Sequence, residues 1–125
     1  MSPVDMSQAT TRTGSCHCGK VRFEVRLDLS EPAITCNCSM CGRSGTMLRF
    51  VPASEFKLLS GAEVLIDYRF NTKNINHQFC SVCGTKPFAS GTGAEGVETK
   101  AINLRCLDDL DLQAVPTQHM DGKSR

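Results

Sequence analysis

Seven of the eight cysteines fall in three short hooks: Cys16-His17-Cys18-Gly19, Cys36-Asn37-Cys38-Ser39-Met40-Cys41-Gly42 and Cys80-Ser81-Val82-Cys83-Gly84. Thiolates one or two residues apart converge on one metal ion, and zinc takes four soft ligands in a tetrahedron at about 2.3 Å. Four of the seven fill one closed site. Three remain, and a metal held by three thiolates keeps an open position, which separates a reacting zinc from one that only holds a fold. Each hook ends in glycine, the residue that reaches the positive φ of a sharp metal-binding turn. Disulfides are the competing reading. Cysteines one residue apart do not easily bridge each other, and disulfide frameworks belong to small secreted chains. Residues 1–13 are polar, with no basic stretch leading into an apolar run, so no signal peptide and a cytoplasmic location are expected.

The rest of the composition narrows the partners. Fourteen basic and 13 acidic residues give a net charge of +1, with no tryptophan and one tyrosine. No basic block or base-stacking surface points to nucleic acid, and no apolar run is long enough to span a membrane. A length of 125 residues suggests one domain with a modest core. Oligomeric state is not legible.

Short strands must position the hooks. Residues 1–12 read as a flexible tail and 13–125 as the domain. Residues 20–27 alternate completely, with Val21, Phe23, Val25 and Leu27 on one face. Residues 33–35 form a short run before the middle hook. Residues 46–51 return to β character, 54–59 suit a short strand or a helical turn, and Ser60-Gly61 is a turn. Residues 64–70 alternate, 71–74 make a polar turn, and Ile75, His77 and Phe79 lead into the third hook. Residues 86–90 read as a strand, with Pro87 favouring an edge or a strand start. Residues 91–96 are a glycine-rich loop, 98–104 a further strand, 108–112 a helical turn, and the stretch from Pro116 a polar tail. No segment shows a long helical period, and the expectation is an all-β domain of short strands.

Spacing does not decide which hooks share a metal. Cys16 and Cys18 with Cys80 and Cys83 make one four-thiolate set, but the middle hook with Cys80 and Cys83 is open as well. The arrangement resembles the glutathione-dependent formaldehyde-activating enzyme family, whose domain also occurs in centromere protein V. The matching stretches are Gly14-Ser15-Cys16-His17-Cys18-Gly19-Lys20-Val21-Arg22-Phe23, the middle hook through Arg43, and Phe79 to Thr85 around the third hook. The ending also matches, with Ile102-Asn103-Leu104-Arg105-Cys106-Leu107 and His119-Met120-Asp121-Gly122. The resemblance implies a β-tent fold of packed antiparallel sheets, a structural zinc on Cys16, Cys18, Cys80 and Cys83, and a reactive zinc on Cys36, Cys38 and Cys41.

A glutathione sulfur at an open three-thiolate zinc is a thiolate near neutral pH. Added to formaldehyde or another small aldehyde, it forms an S-hydroxymethyl adduct, and the reverse cleavage makes the class a carbon–sulfur lyase. Arg43 and Lys86 are candidate partners for the two glutathione carboxylates, against a plain reading as solvated charges. The other singled-out residues read structurally. His17 is turned outward by its hook, and His77 is a strand residue. His119 has no role beyond the resemblance. Cys106 is a small buried hydrophobe, Asn37 and Ser39 are turn residues, and Tyr68 packs in the core. The alternative function is a zinc-stapled interaction module, or a carrier of glutathione adducts, without chemistry of its own.

Overall fold

The computed structural model describes residues 9–37, 39–69, 75–92 and 96–121. The alternating segment forms β2 (Arg22–Leu27), and its apolar face is almost wholly buried along with Val21. β2 is the middle of a three-stranded sheet, between β1 (Thr10–Ser15) and β5 (Phe56–Ser60), with both pairings antiparallel.

A seven-stranded sheet packs against it. In chain order its strands are β3 (Ala33–Cys36), β4 (Leu48–Pro52), β6 (Leu65–Tyr68), β7 (Ile75–Cys80), β8 (Phe88–Thr92), β9 (Glu98–Asn103) and β10 (Thr117–Met120). In space they run β10-β3-β4-β9-β8-β7-β6. All neighbours are antiparallel except β10 and β3, which are parallel. One short helix, α1 (Ser39–Ser44), joins β3 to β4. The architecture is the all-β, tent-like pair of sheets that the sequence implied, with one parallel pair added.

The core lies between the sheets. Phe23 from β2, Phe56 from β5 and Phe88 from β8 form an aromatic triangle with centroid separations of 4.8 to 5.8 Å. Val51 and Ile102 from the larger sheet and Leu104 from the 3-10 turn after β9 complete it. Successive strand residues face opposite ways, so Ala89 next to Phe88, Ala101 next to Ile102 and Leu48, three positions before Val51, form a second small cluster on the outer face.

Several expectations need correction. Residues 10–12 are not tail but the start of β1, paired with β2 from Thr10↔Leu27 onward. The polar stretch after Pro116 contains β10, whose mostly exposed side chains hid a strand paired through its backbone to β3. Tyr68 is 48% exposed and Ile66 45%, because β6 is an edge strand and its alternation faces outward. Residues 53–60 are both alternatives in turn, a 3-10 turn (Ala53–Glu55) and then β5. The helical turn expected at 108–112 falls later, at Leu112–Ala114. Pro87 sits just ahead of β8, which is an interior strand, so it marks a strand start rather than an edge. The polar turn 71–74, the centre of the loop 91–96 and Cys38 lie outside the described residues.

Candidate metal centre and the middle hook

Cys16 and Cys18 sit in the turn joining β1 to β2. Cys80 ends β7, and Cys83 lies in the turn to β8. Residues over 60 apart in the chain thus meet where the two sheets converge. Their four sulfurs all lie within 4.8 Å of one another, with Cys16–Cys18 at 3.5 Å and Cys18–Cys80 at 3.7 Å. Four bonds of about 2.3 Å to a central ion place tetrahedral sulfurs about 3.8 Å apart. The cluster therefore has the size and the all-sulfur donor set of a tetrathiolate metal site. Of the two ways of sharing the hooks, this is the one the fold brings together.

Local backbone structure turns each hook toward the centre. Gly19 and Gly84 have φ of 83° and 81°, and their amides donate to the Cys16 and Cys80 carbonyls at 3.2 and 2.8 Å. The amides of Val21 and Val82 donate to the Cys16 and Cys80 sulfurs, each at 3.4 Å. Such donors favour the thiolate. The Thr85 hydroxyl, with the Thr85 amide, overrides burial and brings the Cys83 thiol down to about 5. Burial pushes Cys16 up, but the Val21 amide and the Cys18 thiol leave it below the ordinary value. The Lys20 amide lowers Cys18, but burial and the other three thiols prevail and push it up to about 11. Cys16 and Cys83 thus favour the thiolate while Cys18 favours the thiol, and a bound cation would displace the remaining proton.

A third segment braces both hooks. The turn after β5 places Gly61 at φ 94°, where a Cβ would stand 2.5 Å from the Lys20 carbonyl oxygen and 2.6 Å from the Val21 Cα. Ser60 Oγ donates to the same Lys20 carbonyl at 3.0 Å, and the Ser81 amide donates to the Val64 carbonyl at 2.8 Å. Sequence reading saw only a turn at Ser60-Gly61, because spacing alone does not show what a turn leans on.

The described cysteines of the middle hook, Cys36 and Cys41, are not part of this cluster. Cys36 ends β3, and Cys41 lies on α1 and packs against Leu48, Ala89 and Ala101. β10 holds the hook in place. The Asn37 amide donates to the Met120 carbonyl at 3.2 Å, Asn37 Nδ2 donates to Asp121 Oδ1 at 2.8 Å, and Thr35 Oγ1 meets His119 Nδ1 at 3.0 Å. Asn37 is thus more than a turn residue, and His119 gains a structural role. Arg43 lies exposed in the last turn of α1.

Lys86 is not a simple surface charge. It is half-buried, and its ammonium donates to His77 Nδ1 at 2.6 Å. His77 is 8% exposed, and burial together with the Lys86 charge brings it down to about 4. The imidazole is therefore neutral at pH 7, with its proton on Nε2. Asn103, missed in the sequence reading, fixes the Lys86 backbone: its Nδ2 donates to the Lys86 carbonyl at 3.0 Å, while Oδ1 accepts from the Met47 and Arg105 amides. A polar residue closing the apolar end of β9, directly after Ala101 and Ile102, was the available signal. His17 is exposed, as expected. Cys106 is half-buried against the core, and burial, followed by the charges of Cys16 and Cys83, pushes its thiol up to about 11. It stands beside the four-thiolate cluster as an inert thiol.

The chain matches the family model described as glutathione-dependent formaldehyde-activating enzyme over residues 11–121. It is also similar to the crystal structure of a Rhodobacter sphaeroides protein, at 31% identity and a TM-score of 0.73, covering 85% of this chain and 99% of that one. The chain belongs to the glutathione-dependent formaldehyde-activating enzyme family.

Proposed function

We propose that this family member joins glutathione, or a similar thiol, to a small aldehyde, with one zinc on Cys16, Cys18, Cys80 and Cys83 and a second on Cys36, Cys38 and Cys41. The observation that carries the reading is the division among the hooks. The four-thiolate set uses two of them, which leaves the middle hook's cysteines at the β3–α1 junction for a metal with an open position. Zinc bound there supplies a position that holds a thiol sulfur deprotonated. With the thiol proton released to water on binding, the sulfur's electron pair would form the carbon–sulfur bond, the carbonyl π pair would move to oxygen, and the oxygen would take up one proton from water, so that thiol plus aldehyde gives the adduct with nothing left over. The reverse step makes the activity that of a carbon–sulfur lyase.

The chain's own groups bind and orient. Lys86, held by His77 and Asn103, offers a fixed ammonium to one glutathione carboxylate, and Arg43 offers a more exposed charge to the other. Asn37, tied to Asp121 and Met120, keeps the hook's backbone in register.

Calorimetry on zinc-loaded protein tests this reading. Glutathione binds, while S-methylglutathione, which supplies no thiolate, binds at least about tenfold more weakly, a difference of about 1.4 kcal/mol. Adduct formation with formaldehyde, followed by exchange spectroscopy, runs faster with wild type than with Cys41→Ser. Equal binding of the two forms, with no effect on the exchange rate, would instead favour a zinc-stapled interaction module.

A further inference from the structure

The outer face of the seven-stranded sheet carries an apolar trough that formaldehyde cannot use. Its shape follows from the register. Residues paired across antiparallel strands point to the same face, so Phe50, Ala101, Ala89 and His77 form one row across β4, β9, β8 and β7. Thr99, Gly91 and Ile75 form the next row. Small residues in the middle strands make a floor, and Phe50 and Ile75 stand as walls. The cavity between them holds about 160 Å³. At roughly 30 Å³ for each water-sized unit, that is room for a chain of about five heavy atoms. Phe50 is 42% and Ile75 52% exposed, so both walls are open to solvent and reachable by a ligand.

The trough borders the side chains on which Cys41 of the middle hook packs: Ala89 and Ala101, its floor, belong to that cluster. A substrate reacting at that hook would therefore reach the trough with its nearest substituent. Glutathione has no suitable part, since its carboxylates and amides would be desolvated there without partners. Formaldehyde has no substituent at all. The remaining candidate is the hydrocarbon chain of a longer aldehyde.

We infer that the trough binds the alkyl chain of the aldehyde substrate, so that the protein prefers aldehydes of about four to six carbons over formaldehyde. The inference rests on the proposed thiol–aldehyde reaction. The same carbon–sulfur bond forms, and the chain takes no part in the chemistry.

The test measures kcat/KM for adduct formation with glutathione along the straight-chain series from formaldehyde to hexanal, using zinc-loaded wild type, Phe50→Ala and Ala101→Leu. In wild type, kcat/KM rises about two- to fourfold per added methylene until the trough is full. Both variants reduce the pentanal-to-formaldehyde ratio, Phe50→Ala by removing a wall and Ala101→Leu by filling the floor. Phe50 is exposed, so its truncation leaves the fold intact even if the Ala101 change does not. Turnover of formaldehyde with no chain-length effect overturns the inference and leaves the thiol–aldehyde reading standing. No turnover with any aldehyde overturns both. A chain-length effect that persists in both variants places the chain elsewhere. If Phe50→Ala instead converts a dimer to a monomer in light scattering without altering the ratio, the trough belongs to a second copy of the chain.

Discussion

His77 and Lys86 carry the charge logic around the candidate site. His77 titrates at about 4 in the fold against 6.5 in a free chain, through burial and then the Lys86 ammonium. Between those values the unfolded chain binds a proton that the folded chain does not, so stability falls as pH drops through that window. A thermal melt series should therefore lose more Tm between pH 7 and pH 5 in wild type than in His77→Gln. The thiolates titrate in both proteins and cancel in the comparison, so equal slopes would mean that His77 is not held neutral. Lys86→Gln should weaken glutathione binding about three- to tenfold, more than Arg43→Gln, because exposed charge pairs are worth only about 0–1 kcal/mol. Titration calorimetry on the two variants decides it, and an equal loss in both would remove the distinction between a held and an exposed cation.

The hooks work because neighbouring elements brace them, and glycine positions show this most sharply. Gly61 and Gly45 both have positive φ, but only at Gly61 would a Cβ meet fixed backbone, at 2.5 Å from Lys20. At Gly45 nothing lies within 4 Å. Gly45→Ala should cost about 1–2 kcal/mol of left-handed strain, whereas Gly61→Ala should cost about 4 kcal/mol or more, since the overlap adds to the strain. Urea denaturation of the two variants checks the ordering, and similar midpoints would show that the brace is slack. This contact was not legible in the sequence, where Ser60-Gly61 gives only turn chemistry. β2 was legible because one of its faces is wholly apolar. β10 was not, because it is paired through its backbone and its side chains are mostly exposed, so no apolar face announces it. Tyr68 misled because alternation shows that a strand has two faces without showing which one is covered. The cysteine spacing announced a metal site, but only the fold shows that Cys16 and Cys18 meet Cys80 and Cys83.

At the scale of the molecule, the four-thiolate cluster pins the three-stranded sheet to the seven-stranded one. Structural zinc contributes on the order of 10 kcal/mol, comparable with the whole stability of a domain at about 5–15 kcal/mol. The Arg22–Asp108 pair, 3.5 Å apart and with both partners well exposed, also links β2 to the segment after β9, but such pairs contribute about 1 kcal/mol at most. Cys83→Ala should therefore abolish the cooperative melt, while Arg22→Ala should move it by only a few degrees. A cooperative melt of Cys83→Ala close to that of wild type would remove the clamp from the account.

In the proposed reaction two hooks hold the fold and the third holds the reacting centre. Zinc content, measured alongside a thermal melt on wild type and on the triple variant Cys36→Ser, Cys38→Ser, Cys41→Ser, tests that division most directly. Wild type should hold about two equivalents and the variant about one, with a cooperative melt retained because the tetrathiolate site stays closed. A single equivalent in wild type that the variant keeps, or a variant that unfolds, would contradict it.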